Sequence, residues 1–417
     1  MTQSPSQPKA LNRQPRVTVL YHYFHPDDVV SARHFSDFAS DLASRGWDVE
    51  VLPCNRGCRD ESKVYPADEV WQGIHIHRIW RPNIKQASTK GRVLNALWMI
   101  AAWARLAFRR GDKRPDVVVV GTDPVLSVLV APIIKRFNKQ VKIAHWAYDL
   151  YPEAPIAEGL MTETSRFTRW LKNRLRTAYR ACDLMADLGP CMRRLLDKYE
   201  HHRPAKTLVP WALSEPSEPE KPDPRVRKEL FGDAPLGLLY SGNFGRAHSY
   251  ESLLALARQL RGSGVQFCFA VRGNRADELK QAVTAEDTNI SFAGFASEED
   301  LAKRLASADI HLASLRSNWN GVVVPSKFFG SLAAGRPVLF AGEPDSGLAH
   351  WIRQYQVGWE LRDENLAATT ESLKKLAQQP ASLAEMQQSC HRVYQEHFSR
   401  RAIMNQWDAA LRKLLGE

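Results

Sequence analysis

Residues 321–338 read GVVVPSKFFGSLAAGRPV, and no other run in this chain of 417 residues carries as many structural signals. Pro325 suits the first turn of a helix, because its missing N–H would have no partner there. Gly335 is a typical helix stop, and the apolar segment after it predicts a strand. We therefore expect Ser326 and Lys327 at a helix N-terminus, which favours an anion such as a diphosphate. A buried helix with a solvated lysine is the alternative.

Strand-like and helix-like patterns alternate on both sides of this run. A chain of this length is expected to form two domains, and the alternation predicts an α/β fold in each, Rossmann-like and doubly wound. The predicted strands are 16–21, 49–52, 74–79, 116–120 and 141–146 in the first half, and 236–240, 265–271, 289–292, 308–315 and 337–341 in the second.

Composition suggests the limits of the domains. Residues 1–15 are rich in Pro, Ser and Gln, which predicts a disordered tail rather than a signal peptide. Seven prolines between positions 204 and 235 predict a linker at 206–235. The remaining predictions are an N-terminal domain at 16–205, a C-terminal domain at 236–395 and a helix at 396–417 that crosses back onto the first domain.

Charge and cysteine content narrow the class of protein. The formal net charge is +11, which indicates an anionic partner such as nucleotide phosphates, acidic lipids or nucleic acid. No recognition-helix, zinc-finger or RNA-recognition signature occurs, so nucleic acid is not expected. Six cysteines without zinc-site spacing indicate reduced thiols and a cytoplasmic location.

A basic and aromatic stretch at 92–110 has the composition of an amphipathic helix. Its apolar run is broken by Arg105 and is shorter than the roughly 20 residues of a membrane span. Such a helix suits peripheral contact with the anionic inner face of the plasma membrane, and a second basic stretch at 166–176 extends the surface. A core-facing helix with charged ends is the alternative.

A second candidate anion site follows the predicted strand 236–240. Ser241, Gly242, Asn243 and Gly245 form a glycine-containing turn whose backbone N–H groups can approach phosphate oxygens. Arg246 adds a guanidinium that can bind a phosphate in bidentate fashion. The dinucleotide fingerprint and the P-loop motif are both absent from this turn. The alternative is an ordinary strand-to-helix turn with a solvated arginine.

Carboxylates follow the predicted strand 141–146. Asp149 comes just after this strand, and Glu153 follows one helical turn later. Both could hold a substrate hydroxyl or support a developing positive charge. The alternative for Asp149 is a helix cap before Pro152.

Five segments, in this order, resemble the retaining glycosyltransferases of family 4, which have the GT-B fold. Residues 25–46 resemble the first βαβ unit of that family, and WAYDLYPE at 146–153 resembles the strand end on its acceptor side. YSGNFGR at 240–246 resembles the phosphate-binding turn, FAGF at 292–295 the loop beside the base, and 321–338 the nucleotide-sugar site.

The resemblance implies transfer of a sugar, with retention, from a nucleotide-diphosphate donor to an acceptor hydroxyl. A UDP-sugar donor and a glycan or lipid-linked acceptor are expected, in cell-surface glycan or polysaccharide synthesis. No cofactor or metal is expected, since cationic side chains take the diphosphate. The implied catalytic residues are Lys327, Arg246 and Asp149. The implied donor-binding residues are Ser241, Gly242, Asn243, Gly245, Phe295, Asn320, Ser326 and Glu343, and those on the acceptor side are Asp28, Tyr148 and Glu153.

The chain departs from the family in three places. Asn320 stands where relatives usually carry a glutamate, and residues 346–348 lack a further acid, so Glu343 or Asp345 is the candidate substitute. Tyr148 stands where relatives often carry a histidine, so a histidine base is not expected there. Two other functions stay open: a nucleotide-sugar epimerase on the same fold, and a non-catalytic protein that binds anionic ligands.

Overall fold

The computed structural model describes residues 13–86 and 88–417. These residues form two compact units, each built on one β-sheet with helices. The first unit contains the described residues up to Leu188 together with Arg193–Val209 and Ile403–Glu417. The second unit contains Gly189–Met192 and Pro210–Ala402.

The first sheet has, among the described residues, eight strands in the order β3-β4-β2-β1-β5-β6-β7-β8. Neighbouring strands are parallel except for the β3–β4 hairpin. Its centre is β-branched: Val17 of β1 lies between Val49 of β2 and Val117 of β5, all fully buried. The strands are β1 (Arg16–Leu20), β2 (Asp48–Val51), β3 (Asp68–Trp71), β4 (Ile74–His77), β5 (Val117–Val120), β6 (Lys142–Trp146), β7 (Leu184–Asp187) and β8 (Ala205–Thr207).

Six helices alternate with these strands in the described residues, and the start of several of them matches a local sequence signal. Ser88 and Ser165 cap α2 and α5, because each hydroxyl accepts a hydrogen bond from a backbone N–H three residues later. Phe35, Phe38 and Leu42 of α1 are buried, as their helical spacing predicts. The helices in this described part are α1 (Val30–Ser44), α2 (Thr89–Trp103), α3 (Val130–Phe137), α4 (Glu153–Ala157), α5 (Arg166–Ala181) and α6 (Pro190–Asp197).

The second sheet is parallel, in the order β11-β10-β9-β12-β13-β14 within the described residues. In both sheets the strand order reverses beside the first strand, between β1 and β5 and between β9 and β12. Ligands bind at such switch points, outside the carboxyl ends of the strands. The strands are β9 (Leu236–Asn243), β10 (Val265–Arg272), β11 (Ile290–Phe292), β12 (Ile310–Ser314), β13 (Val338–Ala341) and β14 (Gly358–Leu361).

The remaining helices of the described residues, α7 to α15, complete the fold. Ser297 caps α10, as its sequence predicts, by accepting a hydrogen bond from the Asp300 N–H at 3.1 Å. The helices are α7 (Pro224–Phe231), α8 (Glu251–Gln259), α9 (Ala276–Ala282), α10 (Glu298–Ala306), α11 (Lys327–Ala333), α12 (Gly347–Tyr355), α13 (Leu366–Gln378), α14 (Ala384–Val393) and α15 (Arg400–Leu415). None of the helices in the described ranges has both the length and the hydrophobicity of a membrane span.

The C-terminal helix returns to the first unit, which confirms the prediction of a crossover helix. Trp407 of α15 is fully buried, with its ring 5.2 Å from that of Phe38 and 5.1 Å from that of Trp146. Asp408 accepts a hydrogen bond from the Trp47 indole N–H at 2.7 Å. Burial of a large aromatic side chain at this point fixes the helix to the sheet of the first unit.

The structure differs from the predicted tail and linker. Residues 1–12 of the predicted tail lie outside the described residues, but Arg13 pairs with Asp116 at 2.9 Å. The predicted linker contains α7, because Asp223 caps this helix and Pro224 occupies its first turn. The other domain limits stay predictions.

Four strands of the described residues were not predicted from the sequence: β3, β7, β8 and β14. The sequences of β7 (LMAD) and β14 (GWEL) carry no β-branched residue, so their local propensity does not favour a strand. Backbone pairing of β7 with β6 and of β14 with β13 stabilises the strand conformation that the local sequence does not favour.

Candidate functional site

The carboxyl edge of the second sheet brings Lys327 onto the end of β9. The Lys327 Nζ donates a hydrogen bond to the Asn243 carbonyl at 2.8 Å, and it lies 5.3 Å from the centroid of the Tyr240 ring. The helix α11 begins at Lys327, with Ser326 as its N-cap residue. Pro325 lies before this N-cap rather than in the first turn. The structure thus joins two of the segments that the sequence singled out.

Gly242 makes this approach possible. Its φ is +123°, and a Cβ at this position would lie 2.9 Å from the Lys327 Cε. Only glycine combines this backbone conformation with room for the lysine chain. Burial lowers the pKa of the Lys327 ammonium to about 8, so the lysine is a cation whose charge is poorly solvated. A bound anion would stabilise that charge.

The phosphate-binding turn differs from its prediction. Ser241, Gly242 and Asn243 belong to β9, where they pair with the last residues of β10, and are not part of a turn. The next helix, α8, begins at Glu251 and does not follow the glycines directly. Gly245 and Arg246 lie in the intervening loop, and Arg246 is exposed. Convergence of Arg246 and Lys327 on one diphosphate stays a prediction.

An aromatic–guanidinium pair lies at the carboxyl ends of β10 and β11. Arg272 ends β10, and its Cζ lies 3.9 Å from the ring centroid of Phe295, which is half exposed. The flat ring supports the interpretation of Phe295 as a base-binding residue, which stays a prediction. The sequence analysis missed Arg272, although its position between a predicted strand and Gly273 was a usable signal.

Asn320 contacts Asp345, one of the two residues proposed to replace the acids that this chain lacks. The Asn320 side-chain N–H donates to the Asp345 carboxylate at 2.6 Å. The Asn320 Oδ1 is buried and, within the described residues, has no hydrogen-bond partner. Glu343 is half-buried on the same loop, where its carbonyl accepts from the Ser346 N–H. A buried amide oxygen beside an exposed carboxylate can accept hydrogen bonds from ligand hydroxyls.

Asp149 lies at the carboxyl edge of the first sheet, just after β6. Solvent reaches its side chain, yet desolvation by the surrounding protein, followed by the nearby charge of Asp123, raises the pKa of this carboxyl to about 6. Asp149 also lines a small cavity together with Thr122, His145 and Tyr151. His145 donates from Nδ1 to the Val120 carbonyl at 2.9 Å, and burial lowers its pKa to about 4, so it stays neutral.

Two residues at the carboxyl ends of the neighbouring strands β1 and β5 were missed by the sequence analysis. The His22 Nδ1 lies 3.5 Å from the Asp123 carboxylate. Burial lowers the pKa of His22, but Asp123 and Cys54 outweigh it and raise the value to about 9, which makes His22 a cation at neutral pH. A usable sequence signal was their position: His22 follows the predicted strand β1 and Asp123 follows the predicted strand β5. These two strands are neighbours in the sheet.

The three residues assigned to the acceptor side have different surroundings. Asp28 is exposed and pairs with Arg59 at 3.2 Å. Glu153 accepts a hydrogen bond from the Tyr199 hydroxyl at 2.6 Å, a contact within the first unit. The Tyr148 hydroxyl is buried and lacks a partner among the described residues. Their acceptor roles stay predictions.

The described residues contain no group of three or more His, Cys, Asp or Glu side chains that could hold a metal ion.

Comparisons with known proteins agree with this architecture. No family model matches the chain. Over 316 residues it is 24% identical to the "Probable glycosyltransferase WbjE" of Pseudomonas aeruginosa, covering 73% of this chain and 76% of that protein. Its structure resembles sucrose-phosphate synthase from Thermosynechococcus elongatus, with a TM-score of 0.70 and 15% identity over 96% of this chain and 99% of that one. It also resembles Anabaena HepE, solved in complex with UDP, with a TM-score of 0.65 and 12% identity over 95% and 100% of the two chains.

These findings define the class of the protein. The two Rossmann-like units and the returning C-terminal helix constitute the GT-B fold. The sequence match is to a glycosyltransferase. The predicted resemblance to GT-B glycosyltransferases is thereby confirmed: the chain has the GT-B fold and is similar in sequence to a glycosyltransferase.

Proposed function

We propose that the chain transfers a sugar, with retention, from a UDP-sugar to an acceptor hydroxyl during the synthesis of a cell-surface glycan or polysaccharide. The contact of Lys327 with the end of β9 carries this proposal. A half-buried ammonium held against a glycine backbone at a sheet switch point is suited to a diphosphate. Breakage of the sugar–oxygen bond leaves negative charge on the diphosphate, and Lys327 would stabilise it as it develops.

The remaining donor contacts follow from the same edge of the second sheet. Phe295, with Arg272 beside it, offers a surface on which a nucleobase can stack. Asn320 and Asp345 offer acceptors for hydroxyl groups of the ribose or the donor sugar. Anabaena HepE was solved with UDP and with UDP and glucose, which supports a uridine donor for this chain by analogy of fold.

A nucleotide screen by thermal shift tests the proposed donor class. UDP is expected to raise the unfolding temperature more than ADP, GDP or UMP at equal concentration. A ligand that binds only the folded state adds about 2.7 kcal/mol of stability at about 100 times its Kd. UDP-sugars that stabilise the protein would then be assayed for UDP release with glycan acceptors. Equal, negligible shifts with every nucleoside diphosphate would contradict the proposal.

One observation favours the epimerase alternative. Asp123 brings a second carboxylate beside Asp149, so the first sheet edge is more acidic than its sequence suggested. An epimerase needs no acceptor, so incubation with the UDP-sugar alone distinguishes the two reactions. A new sugar epimer formed without acceptor would favour epimerisation, and an unchanged donor would favour transfer.

The Asn320–Asp345 pair is expected to contribute to donor specificity. Asp345→Asn should lower kcat/KM for the donor by about 10-fold to 100-fold, because one charged hydrogen bond is worth about 1.5–3 kcal/mol. Titration calorimetry with UDP and with the UDP-sugar locates the contact: weaker binding of both indicates the ribose, and weaker binding of the UDP-sugar alone indicates the sugar. Asp277→Asn, an exposed carboxylate on α9, is the matched control. Equal kinetics for both variants would contradict this role.

A further inference from the structure

The helix α2 is apolar on its outward side as well as on its inward side. Met99, Ile100 and Trp103 face the core and are buried. On the opposite side, Leu94, Leu97 and Trp98 are 52%, 57% and 44% exposed. A surface helix of a soluble protein normally carries polar residues on that side. An exposed apolar stripe of this kind marks an interaction surface.

Further exposed aromatic residues lie on neighbouring segments of the first unit. Trp98 packs edge-on against Trp80, and Phe108 packs against Phe137 of α3 with ring centroids 5.0 Å apart. The helix α3 contacts both the turn that contains Phe108 and the helix α5. On α5, two exposed aromatic rings stack on each other. We define the apolar face as Leu94, Leu97, Trp98, Phe108, Phe167 and Trp170.

The charge around the apolar face is strongly one-sided. No acidic residue occurs at 88–111, 130–142 or 165–182, the stretches that carry these helices. Five of their basic residues pair with acids from elsewhere in the unit: Arg109 with Glu50, Lys135 with Asp183, Lys172 with Glu163, and both Arg176 and Arg180 with Glu200. The other exposed arginines of these stretches are Arg92, Arg105, Arg110, Arg136, Arg166, Arg169 and Arg174.

We propose that the apolar face docks on a lipid bilayer that contains anionic lipids. Tryptophan and phenylalanine side chains are suited to the interfacial depth of a bilayer, where arginines meet the headgroup phosphates. Each basic residue near an anionic surface adds about 1 kcal/mol of attraction. The uniform positive charge disfavours a second copy of this chain as the partner, because two identical faces would repel each other.

The apolar face lies next to the acceptor side of the first unit. Arg92, in the first turn of α2, hydrogen-bonds Tyr151, which lines the same cavity as Asp149. The helix α2 also contacts the turn at Ser127–Leu129, which contributes to that cavity. A docked bilayer would therefore lie close to Asp149, which matches a lipid-linked acceptor. This last step rests on the proposed glycosyl transfer, whereas the docking itself does not.

Vesicle sedimentation tests the docking. The full-length protein is expected to co-sediment with vesicles of phosphatidylglycerol and phosphatidylcholine, to bind pure phosphatidylcholine vesicles at least about tenfold less, and to lose binding as salt is raised. The double variant Leu97→Glu and Trp98→Glu should reduce the partition coefficient by at least about tenfold. The matched control is Val64→Glu with Val70→Glu, two exposed valines elsewhere in the first unit, which should bind as the unaltered chain does.

Two further readouts separate docking from its alternatives. Vesicles should slow amide hydrogen exchange at 89–110 and 166–172, and UDP should stabilise the L97E/W98E variant as it does the unaltered chain. Failure of the unaltered chain to bind anionic vesicles would overturn the docking, even where UDP binds. The docking would also be overturned if the unaltered chain self-associated without binding vesicles and the L97E/W98E variant abolished that self-association. Vesicle binding without UDP binding would leave the docking standing and remove the proposed function.

Discussion

Replacing Lys327 by alanine is expected to lower kcat/KM for the nucleotide-sugar donor by about 10²-fold to 10³-fold. Removal of one preorganised donor from a site of developing negative charge typically has an effect of this size. The Lys327 side chain lies directly on Gly242, and its ammonium contacts the Asn243 carbonyl. Its alanine variant therefore removes the positive charge from the end of β9. Steady-state kinetics with the UDP-sugar identified by the thermal-shift screen measure the effect.

The pH dependence of donor binding gives an independent readout for Lys327. Burial lowers the pKa of its ammonium to about 8. The affinity for UDP should therefore fall as pH rises above about 8, because the free protein loses the cation. Lys327→Arg should keep its charge and remove this dependence. The control is Lys280→Ala, an exposed lysine on α9, which should leave kinetics and pH profile unchanged. Kinetics of Lys327→Ala equal to those of this control would refute the anion site.

The sequence predicted the parts of the fold that depend on local pattern. The helix that ends before Gly335 and the C-terminal helix predicted at 396–417 could be inferred from turn residues and helical spacing. The sequence could not predict which loops meet, because that depends on strand order. His22 and Asp123 are 101 positions apart and meet because β1 and β5 are neighbours. The Asn320–Asp345 contact likewise joins the loops after the neighbouring strands β12 and β13.

The exposure of α2 could not be predicted in detail for a related reason. The sequence indicates a basic, aromatic helix at 92–110, but it does not show which side packs on the core. The structure buries Met99 and Trp103 and leaves Leu97 and Trp98 outside. A helix that is apolar on both sides gives a weak periodic signal, so only the packing of its neighbours decides which side faces solvent.

Replacing Asp149 by asparagine is expected to lower kcat by about 10²-fold to 10⁴-fold, the range for loss of a general acid–base group. Holding an acceptor hydroxyl as a base and supporting a developing sugar cation both require the ionised carboxylate. Because desolvation and then Asp123 raise the pKa of Asp149 to about 6, the activity of the unaltered chain should rise with pH up to about 6 and then level off. The Asn variant should lack this acidic limb.

Asp123→Asn tests whether Asp149 is the group that titrates. Removing the neighbouring negative charge should lower the pKa of Asp149 and move the acidic limb of the pH profile to lower pH. His22, whose pKa burial lowers but Asp123 and Cys54 raise to about 9, stays protonated across this range in the unaltered chain and does not produce the limb. Glu371→Gln, an exposed carboxylate on α13, should leave the profile unchanged. An acidic limb that persists near pH 6 in Asp149→Asn would assign the titration to another group, because an amide side chain cannot ionise.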